Sequence, residues 1–224
     1  LLVLLLFAQQ IKVIPEDGSM KVQDNTIVVT DATAITIYMT AGTNYNLCMD
    51  DSFDYFKDEY PIYEVEDRIS AISDISYNDL LTAHIKDYQG LFYNLKLNLC
   101  NVTAPDKTTD HLLADYTTNN TPEEDRYLEM LYYQFGRYLL ISSSRKGSLP
   151  ANLQGIWADG LSPAWNSDYH TNINVQMNYW PAEQTNLSEC HLPLIQYINS
   201  LVERGKITAK LYHRTEDGGE ARGW

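Results

Sequence analysis

The sequence predicts a multidomain α and β chain in which a strand-rich segment precedes a helical one. Three observations carry this. Val, Ile and Thr crowd into short runs up to about residue 50, the apolar period becomes helical at Ser76, and a full helix-start signal stands at Thr121. Strands followed by helices, rather than alternating with them, are the pattern of separate domains. The boundaries read as 1–75, 76–118 and 119–224.

In the first segment, VQDNTIVVTD and AITIYMT are rich in β-branched residues, which suit an extended backbone. Asp17-Gly18 and Asp24-Asn25 supply turn chemistry between the runs. The alternation of polar and apolar residues is imperfect, as for strands covered on both faces, so 1–75 reads as part of a β-sandwich. The opening LLVLLLFA has the apolar character of a signal-peptide core, but not its basic flank or small-residue cleavage site. IKVIPEDGSMKV follows directly and reads like a hairpin, so a buried strand is expected. Residues 50–75 are acidic and aromatic without a period. They read as an irregular loop, and they lack the residue order of a Ca²⁺-binding loop.

From Ser76 onward, Leu81, His84, Ile85, Tyr88, Leu91 and Phe92 share one helical face, with Ser76 as N-cap and Asp79 three residues on. His84 on that face is expected to be a satisfied core histidine. NLKLNL at 94–99 alternates like a short strand, and 101–120 read as loop. Thr121-Pro122-Glu123-Glu124 combines a cap, a first-turn proline and a capping-box Glu. That helix is expected to run to about Ser143, with the stripe Leu128, Leu131, Tyr132, Phe135 and Leu139, and to exit at Lys146-Gly147. After a long segment, GSLPANLQGIWADGLSPAWNSDYH, helix resumes around Ile173 and is interrupted near Pro181. It restarts with Ser188 as N-cap and the stripe Leu194, Ile195, Ile198, Leu201 and Val202.

The net charge of −14 repels phosphate backbones and anionic membranes, which argues against a nucleic-acid partner. No stretch is long enough to span a bilayer, so no membrane insertion is expected. Cys48, Cys100 and Cys190 show no C-x-x-C spacing, form no metal set and are too sparse for a disulfide scaffold. The chain begins at Leu1 and stops at Gly223-Trp224 without a polar tail, so a piece of a longer protein is expected. A Gly-rich phosphate loop, a G-x-S-x-G elbow and an H-E-x-x-H helix are all missing from the sequence. Ser142-Ser143-Ser144 beside Arg145 has no obvious base and reads as a hydroxyl-rich helix end.

The chemistry concentrates in NLQGIW and PAWNSDYHTNINVQMNYWPAE. These segments set Asn152, Gln154, Asn166, Asp168, His170, Asn172, Asn174, Gln176 and Asn178 among Trp157, Trp165, Tyr169, Tyr179 and Trp180. Sugars call for this mixture: C–H faces stack on aromatic rings while amides and acids bond the hydroxyls. Composition alone leaves open a second reading, a polar network that merely orders a long loop. A loop of this length inside a domain is functional or disordered, and its two Trp residues argue against disorder.

QFGRYLLISSSRKGSLPANLQGIW, AWNSDYHTNINVQMNYWPAE and NLSECHLPL closely resemble the signature stretch of the family 95 α-L-fucosidases, and YNDLLTAHIKDYQGLFYNLKLNL resembles that family's linker. The resemblance implies a partial β-sandwich, then a helical linker, then the first part of an (α/α)6 toroid. It implies hydrolysis of terminal α-linked L-fucose, typically α-1,2, with inversion, on a fucosylated oligosaccharide or glycoconjugate. It implies no cofactor and an extracellular or periplasmic location. The family's base system pairs an Asp with two Asn in an H-x-N-x-N motif, here His170, Asn172 and Asn174. His170, Trp157, Gln154 and Trp165 are then the substrate-binding candidates, and the acid Glu and base Asp lie beyond this chain. Asp168, Glu183 and Glu189 are not promoted to replace them. For both amides to face one cavity, 170–174 must lead into a helix, because inside one they point about 200° apart. The alternatives are an α-L-galactosidase, whose sugar differs by one hydroxyl at C6, and a non-catalytic carbohydrate-binding or structural fragment.

Overall fold

The computed structural model describes residues 4–48, 52, 54–99 and 103–221. Small antiparallel sheets come first and helices follow, in two compact units. One is built from the chain up to His84 and from Lys206 onward, the other from Ile85–Gly205.

In the first unit, β1 (Phe7–Glu16) pairs along its length with β4 (Ala34–Thr43), and β2 (Ser19–Gln23) pairs with β3 (Thr26–Thr30). Asp24 and Asn25 turn between β2 and β3 at φ 48° and 59°. Two left-handed residues in a two-residue loop match the twist of a hairpin, and Asp and Asn tolerate that conformation. Asp17-Gly18 does not close a hairpin, contrary to the reading of IKVIPEDGSMKV. It links strands of different ribbons, and a Cβ on Gly18 would lie 2.3 Å from the Thr30 carbonyl oxygen. The strands were expected to be covered on both faces, yet every residue of β2 is exposed and β1 buries fully only Ala8. Among the described residues each ribbon has two strands. Residues 1–3 of the apolar opening lie outside the described residues.

Asn44 pins the start of this ribbon. Its side-chain oxygen accepts the Leu6 N–H at 2.8 Å, and its own carbonyl accepts the Lys57 N–H at 2.7 Å. The acidic 50–75 segment is not all loop: α1 (Ile62–Ile72) buries Val65 and Ile69 against β1 and β4. Val65 and Ile69 stand four apart, an i,i+4 signal masked by the acids and Tyr around it. Of the segment 50–75, in which no Ca²⁺ loop is expected, residues 50, 51 and 53 lie outside the described residues.

Ser76 caps α2 (Tyr77–Phe92) as expected, its Oγ accepting the Asp79 N–H at 3.1 Å. Only the end of the α2 stripe is covered. Leu91 is buried and Tyr88 and Phe92 half-buried, but Leu81 and Ile85 are exposed, and so is His84, which is no core histidine. Residues 95–98 form no strand, and 101–120 are not all loop, since α3 (Thr109–Ala114) lies there around buried Leu112.

The capping box of α4 (Pro122–Ser143) is complete: Thr121 Oγ accepts the Glu124 N–H, and the Glu124 carboxylate accepts the Thr121 N–H at 2.7 Å. The α4 stripe is rotated from its expected position. Leu128 is buried with Arg137, Leu140 and Ile141, while Tyr132 and Phe135 are exposed. Two short helices follow the long segment, α5 (Asn174–Tyr179) and α6 (Pro181–Gln184), and then the longer α7 (Ser188–Ser200). Leu187, not Ser188, is the N-cap of α7. The predicted second stripe breaks at Leu201, where α7 gives way to α8 (Val202–Tyr212), and Ile195 and Ile198 are exposed. The core of this unit gathers Leu91, Leu140, Ile141, Ala151, Val175, Tyr179, Ala182, Leu187, Cys190 and Leu194.

Candidate active site

The long segment between α4 and α5 is ordered by its own polar groups. Asn152 accepts the Gln154 N–H on its side-chain oxygen at 2.8 Å, and its carbonyl takes the Asn178 side-chain N–H at 2.9 Å. Leu153 N–H reaches the Asp168 carbonyl at 3.3 Å, and the Tyr169 hydroxyl donates to the Pro150 carbonyl at 3.0 Å. The network reading of these residues is therefore true as far as Asn152, Asn178 and Tyr169 are concerned.

Beneath the segment lies a hydroxyl chain. Ala151 N–H donates to the Tyr179 hydroxyl at 2.7 Å, and Ser144, fully buried, bonds both that hydroxyl and the Cys190 carbonyl at 2.7 Å. Burial pushes the Tyr179 phenol up, with the Ser144 bond opposing. Burial also raises the Cys190 thiol, which makes it a small apolar group rather than a nucleophile. Ser143 donates back to the Leu139 carbonyl at 2.7 Å, and Arg145 pairs with both oxygens of Asp87 at 2.7 and 2.8 Å. The serine run is thus a helix end, as its composition indicates.

The substrate-binding candidates divide into two linked pairs. Gln154 and Trp157 line a cleft of about 310 Å³ together with Gly136, Leu139, Ser143 and Asn178. Trp165 meets His170 edge to face at 5.8 Å. Ser167 joins the pairs by donating to the Gln154 side-chain oxygen at 2.5 Å. Trp165 is 73% exposed, and it opens a run of three left-handed residues, with Asn166 and Ser167, at φ 53° to 55°. A left-handed non-glycine residue costs about 1–3 kcal/mol and persists where the surroundings impose it, commonly at functional sites. His170 has a buried Nε2 with no hydrogen-bond partner among the described residues.

Asn174 is the first residue of α5, and Ile173 before it has φ −162° and ψ −40°. Residues 170–174 therefore do lead into a helix, with Asn172 exposed in the preceding turn and Asn174 half-buried. Among the described residues neither side-chain amide has a hydrogen-bond partner, and neither lines the cleft of Gln154 and Trp157. Asp168 is exposed, and Glu189 lies in the first turn of α7. Ser167, which couples the two pairs, and Gly155 were not singled out from sequence. Gly155 stands two residues before a Trp, which is its one sequence signal.

Arg137 was also missed, although it sits in the quoted QFGR stretch. It is 2% exposed and donates to the carbonyls of Leu91, Phe92 and Leu95 at 3.2, 2.8 and 3.3 Å, with its guanidinium 5.2 Å from the Phe92 ring centre. It caps the C-terminal end of α2, where carbonyls lack helical partners and a cation is favoured.

The catalytic domain of glycosyl hydrolase family 95 matches residues 76–224, which include the whole candidate site. A protein of Aspergillus niger named "Probable alpha-fucosidase A" is 41% identical over 188 residues, covering 82% of this chain and 23% of that protein. "Alpha-L-fucosidase 2" of Arabidopsis thaliana is 41% identical over 155 residues, covering 67% of this chain and 18% of that protein. The chain thus spans about a quarter or less of the length of these relatives. A match over this much of the chain shows that it belongs to glycosyl hydrolase family 95.

Proposed function

We propose that the chain is part of an enzyme that removes terminal α-linked L-fucose, α-1,2-linked, from a fucosylated oligosaccharide or glycoconjugate with inversion. Its layout is the end of a β-sandwich, a linker and the first helices of an (α/α)6 toroid, in an enzyme that works outside the cell or in the periplasm. What carries the reading is the family match across the loop that holds His170, Asn172 and Asn174, together with the α-fucosidase names of the relatives.

In this reading the exposed rings of Trp157 and Trp165 offer flat faces to the sugar, and Gln154 and His170 bond its hydroxyls. An inverting hydrolase needs an acid on the leaving oxygen and a base-activated water on the opposite face, with the carboxyls about 6.5–9.5 Å apart. Both carboxylates come from outside this chain. An amide does not accept a proton at neutral pH, but its carbonyl orients a water. Asn172 and Asn174 serve that role, which is supported by side chains that have no hydrogen-bond duty elsewhere among the described residues.

The test is hydrolysis by a full-length family member carrying this segment. It is offered a fucosyl-α-1,2 disaccharide and the matching α-L-galactoside, and the first-formed anomer is read by NMR. Release of β-L-fucose supports the reading. Preference for the galactoside makes the enzyme an α-L-galactosidase, and turnover of neither leaves a non-catalytic carbohydrate-binding chain.

A further inference from the structure

The first unit holds a cleft of its own, of about 490 Å³, between Thr43 at the end of β4 and one face of α1. α1 has two working faces. Val65 and Ile69 are buried against the sheet, while Glu64, Asp67, Arg68 and Ala71, three and four residues apart, line the cleft. A Cβ on Gly42 would stand 3.2 Å from Val65 Cγ2, so the glycine lets the helix lie close to β4. Arg68 fixes the wall by donating to the Ala41 carbonyl at 3.0 Å and to Glu64 at 2.5 Å. Lys57 is fixed through its backbone, whose N–H reaches the Asn44 carbonyl at 2.7 Å. Buried Pro61, the N-cap of α1, stands between Tyr60 and Tyr63, which are 48% and 60% exposed.

The other polar groups of the cleft are unspent. Among the described residues the side chains of Lys57, Glu59 and Asp67 and the hydroxyls of Tyr60 and Tyr63 make no hydrogen bond or ion pair. An anion entering here would meet three carboxylates, those of Glu59, Glu64 and Asp67, and a cation would meet Lys57 and Arg68. Among the described residues those carboxylates are not gathered as a metal site. An apolar ligand would strip water from charges and give nothing back. A neutral sugar meets every demand. Its hydroxyls donate to carboxylates and accept from the ammonium, and its C–H faces lie on the Tyr rings. Resting on the fucosidase reading above for the class of glycan, we infer that this cleft holds a neutral oligosaccharide of the kind that carries the fucose, without cleaving it. Tyr60 and Tyr63 are its platform, and Asp67 and Lys57 bond its hydroxyls. The enzyme thereby gains a grip on glycan that uses no residue of the loop between α4 and α5.

The test passes a full-length family member carrying this segment over immobilised lactose, a neutral oligosaccharide with no fucose to lose. Free L-fucose is present at saturation to fill the fucose pocket. The parent should be retained and should elute with free lactose. The double variant Tyr60→Ala, Tyr63→Ala should raise the dissociation constant about tenfold, because it removes both stacking rings. Asp67→Asn, which leaves size and backbone alone, should raise it several-fold. Both variants should keep the melting temperature and kcat/KM toward an aryl α-L-fucoside. A parent that is not retained, or variants retained as tightly as the parent, overturns the holding site, and hydrolysis of the aryl fucoside by that parent leaves the fucosidase reading standing. Elution by sodium sulfate but not by lactose makes the cleft an anion site and overturns it as well. A parent retained through these residues that cleaves no fucoside keeps the sugar-holding cleft and overturns the fucosidase reading.

Discussion

The hydroxyls of Tyr179 and Ser144 lie 2.7 Å apart, and their other partners set the direction of the bond. Ser144 spends its proton on the Cys190 carbonyl, and Tyr179 receives the Ala151 N–H, so Tyr179 donates to Ser144. One phenol thereby ties the start of the site loop to the end of α4 and to α7. Tyr179→Phe leaves the buried Ala151 N–H without an acceptor, a loss of about 1–3 kcal/mol. Thermal melting of the full-length enzyme and faster hydrogen exchange at the Ala151 amide check this.

The same phenol gives an alkaline dependence. Its value is raised by burial, so the fold favours the neutral form. That stability is fully present below the ordinary phenol value of about 10 and is lost as pH rises from there through the raised folded value. Tyr88, also raised chiefly by burial, adds in the same direction. Melting temperatures above about pH 10 should fall less steeply in Tyr179→Phe than in the parent.

At the other end of the scale stands the α4 capping box. The Glu124 carboxyl is held below its usual range, first by the Thr121 N–H and further by Lys107. A lowered acid stabilises above its unfolded value, about 4.3, and its contribution disappears as pH falls through the lowered one. Thr121→Ala should cost about 1 kcal/mol at neutral pH. Glu124→Gln should flatten the acid limb of the stability profile, read by circular dichroism.

Arg137→Met should destabilise the helical unit by more than about 2 kcal/mol. It removes the donor from the Phe92 carbonyl at the end of α2 and from the Leu95 carbonyl, while the Leu91 carbonyl keeps the Asn94 N–H at 3.3 Å, and an orphaned carbonyl costs about 1–3 kcal/mol. Chemical denaturation with a probe on α2 measures it.

Asn172→Ala and Asn174→Ala should each lower kcat about 10²–10⁴-fold with little change in melting temperature. Neither amide holds the loop through a side-chain bond among the described residues, so a parallel loss of stability is not expected. In the proposed mechanism the oriented water is positioned for the transition state, so binding should suffer less than turnover. Normal kcat in a folded variant takes that Asn out of the mechanism.

Where one local contact decides an element, the sequence suffices. The caps at Ser76 and Thr121, the Asp24-Asn25 hairpin and the helix entry before Asn174 are each settled within four residues, and the structure has all of them. The concentration of amides and Trp in the long segment was likewise readable, since it is a matter of residue type and not of position in the fold. What only the tertiary structure decided depends on partners far along the chain. Tyr132 and Phe135 follow the apolar period, but the core lies on the face of Leu140 and Ile141, because α5, α6 and α7 pack there. Arg137 looks like a surface cation until the end of α2, over forty residues earlier, is seen to need a donor. Gly155 matters only because an indole lies where a Cβ would be. Periodicity states which residues can share a face; which face is covered is set by the neighbours that folding brings to it.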